Sequence, residues 1–426
     1  MRVGREAAPI LAVLALVGGL ASAGSSAAPS RSWQTVVTTK AQGVFMLGWA
    51  SGRVWFIVDG VGDNMTIWSA HVGSHGLTSL VPTSEGTNEW IPNSFIEGSN
   101  LVNCCAPQQG QQPVSSSIAP LLASGKVGSW SPLPGGPEKI TQDALTPPGM
   151  SAPGRWAAGA GLTSGGRTVW AIGGALCPNS GPHQCTINYN GISSFALCCT
   201  PANAPVDLTS RLTAREKAGA TGVQMGTDAH GRAWLAWLDG ASSKPGASLK
   251  LVQFDPTTLA PLSQKTIDHV LFYDTVGSGI APFVFTCGDS CRLVYQGLTG
   301  AASWDGFTAP TMLWVNNRLK DRGGHLIAAG YIGGKLAVGS WSDKVANVPD
   351  DGQRLTAALG DGAGRNLRTT GSIEIPHQLP DGPTHYFLPM GLPAATITPN
   401  GLVAVALYNN DRRRLQSRVL ATVLPG

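Results

Sequence analysis

Residues Gly222–Ile267 read GVQMGTDAHGRAWLAWLDGASSKPGASLKLVQFDPTTLAPLSQKTI. Val223–Gly226 is a short strand-forming run, and Ala229-His230-Gly231 is the turn that ends it. Arg232–Leu238 (RAWLAWL) is apolar almost throughout, the mark of a strand covered on both faces. Asp239–Gly246 is a loop containing Pro245, and Leu249–Phe254 (LKLVQF) alternates apolar and polar residues, as a strand nearer the rim does. Asp255-Pro256-Thr257-Thr258 then turns the chain into an outer strand ending near Ile267. Four strands in a meander make one unit of fold.

The unit recurs. A turn residue opens an apolar second strand at Arg53, Leu101, Arg167, Arg232, Arg292, Lys335 and Leu402. Glycine or asparagine turns precede these runs at Ser51-Gly52, Gly165-Gly166, Gly288-Asp289-Ser290, Gly333-Gly334 and Asn400-Gly401. The weakest unit, Ser94–Gly98 followed by Leu101-Val102-Asn103, lacks aromatic residues in its second strand. Repeats of this kind resemble the β-propeller superfamily over almost the whole chain, and match no single family within it. That resemblance implies an all-β fold: one propeller over 24–426 with seven four-stranded blades, or six if the weak second unit merges with the third. The mean spacing of about 58 residues exceeds the ~40–50 of compact propellers, so loops must hold the surplus. After the last second strand only Leu415–Val423 fits as a further strand. Trp33–Thr39 (WQTVVTT) is expected to pair beside it as the missing outer strand and close the ring.

Residues 1–23 have the layout of a secretory signal peptide: Arg2 and Arg5, an apolar run Ile10–Leu20, then Ala21-Ser22-Ala23. The apolar run is too short to span a bilayer, which needs ~20 residues. No later stretch reads as a membrane span. The expectation is a secreted, extracellular protein, monomeric, with no cofactor and no metal site. Charged residues make up 13% of the chain and the net charge is +4, with Lys and Arg scattered, so a nucleic-acid partner is not expected. Arg412-Arg413-Arg414 follows Asn409-Asn410-Asp411 and reads as the solvated tip of a hairpin.

Eight cysteines, an even number in an exported chain, point to disulfides. Cys287 and Cys291 bracket the Gly288-Asp289-Ser290 turn, and Cys177 and Cys185 bracket a Pro-, Asn- and Gly-rich loop; both pairs would staple hairpins. The other four stand as Cys104-Cys105 and Cys198-Cys199, each in a Cys-Cys-x-Pro pattern. Either each pair closes on itself as a strained vicinal ring, or the two pairs cross-link neighbouring blades.

No catalytic signature stands out. A Gly-x-Ser-x-Gly elbow is absent, and Asp59–Asn64 and Asp350-Asp351-Gly352 lack the ligand spacing of a calcium loop. His71 and His75 straddle a turn without further ligands. Sialidase-like propellers carry a Ser-x-Asp-x-Gly-x-Thr-Trp turn and three carboxylate-binding arginines; Ala302–Phe307 resembles that turn loosely, and Arg53, Arg167 and Arg232 read as hairpin caps. Quinone-dependent propeller dehydrogenases can place a vicinal disulfide against their cofactor, but their repeated tryptophan-docking segments are missing here.

A ligand is expected where the blade-to-blade crossings and the second-to-third-strand loops meet. The crossings hold Glu85, Glu89, His269 and Asp274, and also His377, His385 and Tyr386, with Trp90 and Trp156 beside them. Aromatic rings with scattered polar groups suit a carbohydrate or a peptide. The reading is therefore an exported binding module for an extracellular glycan, a peptide or a cell-surface partner. The alternative is a propeller enzyme, a sialidase-like glycoside hydrolase or a quinoprotein dehydrogenase.

Overall fold

The computed structural model describes residues 32–426 except 40, 61–64, 75, 85–93, 107–114, 133–149, 152–155, 165–166, 175–176, 179–193, 199–205, 208–220, 239–246, 271–282, 316–324, 343–353, 375–393 and 409–416. All of the described residues fall in one compact unit, Arg31–Gly426. They form strands and turns, with no helix among them. No helix among the described residues is therefore long and apolar enough to cross a membrane.

After β1 (Gln34–Thr39), the chain builds one antiparallel sheet after another. The first is β2 (Ala41–Ala50), β3 (Arg53–Gly60), β4 (Met65–Gly73) and β5 (Gly76–Ser84). The second is β6 (Ser94–Glu97), β7 (Asn100–Ala106), β8 (Ser115–Pro120) and β9 (Ser131–Pro132). Next come β10 (Met150–Ser151), β11 (Trp156–Ser164), β12 (Arg167–Gly174), β13 (Cys177–Pro178), β14 (Ser194–Cys198) and β15 (Val206–Asp207). Of these, β11, β12, β14 and β15 form the third sheet, and β10 pairs with β13. The second and third units are thus separate sheets.

β16 (Thr221–Thr227), β17 (Ala233–Leu238), β18 (Ala247–Phe254) and β19 (Pro261–Val270) form the fourth meander. β20 (Phe283–Cys287), β21 (Cys291–Gly297), β22 (Gly300–Trp304) and β23 (Thr311–Val315) form the fifth, tied to the fourth through the Val270↔Gly297 pair. β24 (His325–Ile332), β25 (Lys335–Ser342), β26 (Arg354–Leu359) and β27 (Arg368–Glu374) form the sixth. β28 (Ala394–Thr398), β29 (Gly401–Tyr408) and β30 (Ser417–Pro425) complete the series, and β1 lies beside β30 as a fourth strand, from Gln34↔Ala421 to Thr39↔Ser417. The first strands touch in succession: β2 with β6, β6 with β11, β11 with β16, β16 with β20, β20 with β24, β24 with β28, and β28 with β2.

The core is divided into layers between neighbouring sheets, and strand periodicity does the dividing. On β3, Val54, Phe56 and Val58 pack with Val403, Val405 and Leu407 of β29. Trp55 and Ile57, on the opposite face, pack with Leu101 and Leu121 of the second unit. On β29, Leu402 and Ala404 turn the other way, onto Trp341 and Leu355. Second strands are therefore apolar at most positions on both faces, because successive side chains enter different layers. Small residues set the spacing between layers. A Cβ on Gly226 of β16 would lie 2.3 Å from Cβ of Phe285 on β20, and one on Gly330 of β24 would lie 2.7 Å from Cβ of Ile397 on β28.

Candidate functional site

In each meander the turns between first and second and between third and fourth strands leave one edge of the sheet. The second-to-third loops and the sheet-to-sheet crossings join strand ends at the opposite edge. Of the residues expected to bind a ligand, Glu85, Glu89, Trp90, Asp274, His377, His385 and Tyr386 lie outside the described residues. Trp156 is the first residue of β11, with only its backbone described. His269 falls inside β19 rather than in the crossing after it; it is exposed, has φ +61°, and its carbonyl accepts from Leu298 N at 2.8 Å. These residues are therefore not brought together as a described site.

The described chemistry lies at the turn edge. Three successive units end their third strand on an aspartate that organises the next turn. Asp255 Oδ1 accepts from Thr257 N and Thr258 N at 2.7 and 3.0 Å. Asp305 Oδ1 accepts from Phe307 N and Thr308 N at 2.9 and 2.8 Å, and its Oδ2 from the Thr308 hydroxyl at 2.7 Å. Asp361 Oδ1 accepts from Ala363 N and Arg365 N at 2.8 and 2.9 Å. Burial raises the pKa of Asp305, but these bonds and the charge of Arg292 outweigh it and bring the group down to about 2. Bonds from Thr258 and Thr257 lower Asp255, and bonds led by that from Arg365 lower Asp361. Such carboxylates stay ionised and occupied, which disqualifies them as general acids near neutral pH.

A second cluster spans the boundary between the fourth and fifth units. Asp228 ends β16 and is 4% exposed. Its Oδ1 accepts from His230 N and Arg232 N, and its Oδ2 from Arg232 Nε and Trp234 Nε1, both at 2.7 Å. Burial raises its pKa, but the bonds from Trp234 and Arg232 prevail and lower it. Arg232 lies with its guanidinium carbon 3.8 Å from the centroid of Phe307, and His230 meets the same ring edge-on at 3.9 Å. Lys265 of β19 stands 4.7 Å from the centroid of Trp304, which itself packs edge-to-face on Trp234. Arg232 Nη2 and Lys265 Nζ both donate to the carbonyl of Gly306, at 3.4 and 3.3 Å. Gly306 has φ +97°, and a Cβ there would lie 2.7 Å from Cβ of Asp228, so the residue must be glycine.

The arginine that opens β3 is arranged differently. Arg53 is 2% exposed, and its described partners are uncharged. Nε donates to Ser69 Oγ at 3.0 Å, Nη2 to the carbonyl of Ser79, and Nη1 meets His71 Nε2 at 2.7 Å. Arginine can only donate, so His71 Nε2 accepts and the imidazole proton sits on Nδ1, facing the Gly52 carbonyl at 3.2 Å. Ser69 passes the network on to Gly125 O, in the last turn of the second unit, at 2.7 Å. Burial lowers the pKa of Arg53, yet the group remains a cation. The expected role of these arginines as hairpin caps fits Arg232, which bonds Asp228 of its own turn, whereas Arg53 reaches across to β4 and β5; the side chain of Arg167 lies outside the described set.

Cys287 and Cys291 form the expected disulfide across the β20–β21 turn, and the Thr227 hydroxyl donates to Cys291 Sγ at 3.0 Å. A loop this short restricts the unfolded chain modestly, so C287S/C291S is expected to cost about 2 kcal/mol. Urea unfolding of the double variant checks this. Of the other cysteines, Cys104, Cys105, Cys177 and Cys198 have described backbone only, within β7, β13 and β14, and Cys185 and Cys199 lie outside the described residues.

No known family model matches this chain, and no curated protein matches it. Among solved structures it is similar to a prolyl endopeptidase, with a TM-score of 0.43 and 12% identity over 90% of this chain and 48% of the other. It is also similar to Trypanosoma rangeli sialidase bound to 2,3-difluorosialic acid, with a TM-score of 0.44 and 10% identity over 93% of this chain and 58% of the other. A third is Penicillium chrysogenum α-L-arabinanase with arabinobiose, with a TM-score of 0.39 and 11% identity over 79% of this chain and 100% of the other. The chain thus spans about half of the prolyl endopeptidase and less than two thirds of the sialidase.

Proposed function

We propose that this chain is an exported, seven-bladed β-propeller, closed by β1 beside β30, which binds an extracellular glycan. Support for the ring comes from the first strands, which touch in succession from β2 round to β28 and back to β2. The core layer shared by the first and last sheets supports it as well. Among the described residues, Asp228, Asp255, Asp305 and Asp361 are committed to the turns that they organise, which supports a turn edge that holds ligands rather than cleaving them. The glycan would meet the edge from which the crossings leave, where Glu89, Trp90, His385 and Tyr386 would contact it.

A second reading makes the protein a glycoside hydrolase. It places the acid and the base among Glu85, Glu89 and Asp274, the carboxylates of the crossings. One experiment separates the two. The purified chain is melted against a panel of neutral and acidic oligosaccharides, and the same mixtures are analysed for shorter products. A ligand present at 100 times its Kd is expected to add about 2.7 kcal/mol of stability. A shift without products supports binding. Products that vanish in E89Q or D274N establish the hydrolase, and a panel without any shift overturns the glycan reading.

A further inference from the structure

We propose that Arg232, Lys265 and Phe307 form a subsite for the acidic group of an anionic sugar, at the turn edge between the fourth and fifth units. Two cations, one from the β16–β17 turn and one from the outer strand β19, converge on the single carbonyl oxygen of Gly306. Both donor nitrogens lie within 3.4 Å of that oxygen, so one carboxylate or sulfate can reach both. The carbonyl uses one N–H from each. Arg232 Nη1 meets no acceptor among the described residues, and the Arg232 side chain is 35% exposed. Lys265 is exposed, with two further N–H groups beyond the one given to Gly306.

The neighbouring carboxylates cancel part of this charge but offer no free oxygen that would compete for the remaining donors. Asp228 is buried, and its two oxygens already hold four donors. Asp305 spends its oxygens on Phe307 N and on Thr308 N and Oγ. Asp228 balances the charge of Arg232 and Arg292 acts on Asp305, which leaves the charge of Lys265 and the spare N–H groups of both cations for an oxyanion, and such charge-assisted bonds are stronger than neutral ones. Beside it, Phe307 is a large apolar side chain 40% exposed at the tip of its turn. A pyranose that carries a carboxylate or sulfate fits here with its ring against the part of Phe307 that Arg232 and His230 leave exposed, and with the anion at Arg232 and Lys265. Asp228 holds Arg232 by its Nε, which keeps the guanidinium in place.

This subsite extends the glycan reading by naming the sugar class, and it shares with that reading only the nature of the ligand. The test is calorimetric titration of the full mature chain with oligogalacturonate, chondroitin sulfate oligosaccharide and neutral cello-oligosaccharide at low and high salt. Truncating Arg232 would strand the buried Asp228, so the variants are K265Q and F307A, both at exposed positions. Each is expected to lose at least tenfold in affinity for an acidic oligosaccharide with an unchanged melting temperature, and wild-type binding is expected to weaken with salt. Carboxylate against sulfate preference follows from the first two ligands. Wild-type affinity in both variants, or no binding of either acidic ligand, overturns the subsite. If the neutral ligand still binds, the glycan reading survives that failure; if no glycan binds, both fall.

Discussion

Deleting residues 24–40 is expected to abolish the cooperative melting transition or lower its midpoint drastically. β1 pairs with β30 along its full length, and most of β30 is buried. Val36 and Val37 pack against the layer shared by the first and last sheets. Both are half-buried, so each contributes less than the ~1.5–3 kcal/mol of a fully buried valine. Around them, the Gln34 side-chain amide donates to Leu77 O and accepts from Leu77 N, both at 3.0 Å, which ties the strand to β5. Trp33 Nε1 donates to Glu374 O at 2.7 Å, which ties it to the end of β27. One strand thus joins the last sheet to the sheets on both sides of it. The expected loss is at least about 5 kcal/mol, comparable to the whole stability of many domains. Far-UV circular dichroism melts of the chain with and without residues 24–40 decide it, and equal midpoints would sink the role given to β1. Q34A, which removes only the amide contacts, is expected to lose a small part of this.

Replacing Asp228 by alanine is expected to cost about 2–3 kcal/mol, because a buried acceptor is removed from several donors while the partly exposed Arg232 can turn to water. Trp234 Nε1, Arg232 Nε and two backbone N–H groups would lose their acceptor together. D228N keeps the shape but turns an N–H toward donors, so it should fall between wild type and alanine. Urea unfolding with an unchanged slope is the check. The same carboxylate predicts a pH effect. Its folded-state pKa lies below the ordinary value, so its contribution is complete above about pH 4 and is lost as acid protonates it in the folded state. Asp305, brought down to about 2 by its own bonds, contributes in the same direction. Wild-type stability is expected to fall between about pH 4 and pH 2, and D228A to fall less steeply there. Parallel slopes for the two proteins would show that the Asp228 bonds do not discriminate between its charged and neutral forms.

Several features of this chain follow from local chemistry that any reader of the sequence can see. Arg53–Val58 and Arg232–Leu238 are apolar at successive positions, and only a strand covered on both faces tolerates that. Cys287 and Cys291 flank three turn residues between strands, so their sulfur atoms meet as soon as the hairpin forms. Trp33–Thr39 answers a last unit one strand short, and it pairs with β30 as its length and pattern imply.

Other features depend on contacts between distant parts of the chain. The Ala302–Phe307 segment reads as no more than a loose likeness to a known turn, because the residue pattern is incomplete. Folded, Asp305 collects two backbone N–H groups and a hydroxyl, a result of backbone geometry rather than of motif. Arg53 and Arg232 look alike as strand openers. One is buried among a serine, a histidine and a carbonyl, and the other is held by Asp228 and laid over Phe307. What the sequence by itself determined is the strand-and-turn repeat, since alternation and turn residues act over a few neighbours. Only the tertiary structure decided which sheet receives each side chain and that Lys265, Arg232 and Gly306 converge, since those contacts exist only once separate meanders pack face to face.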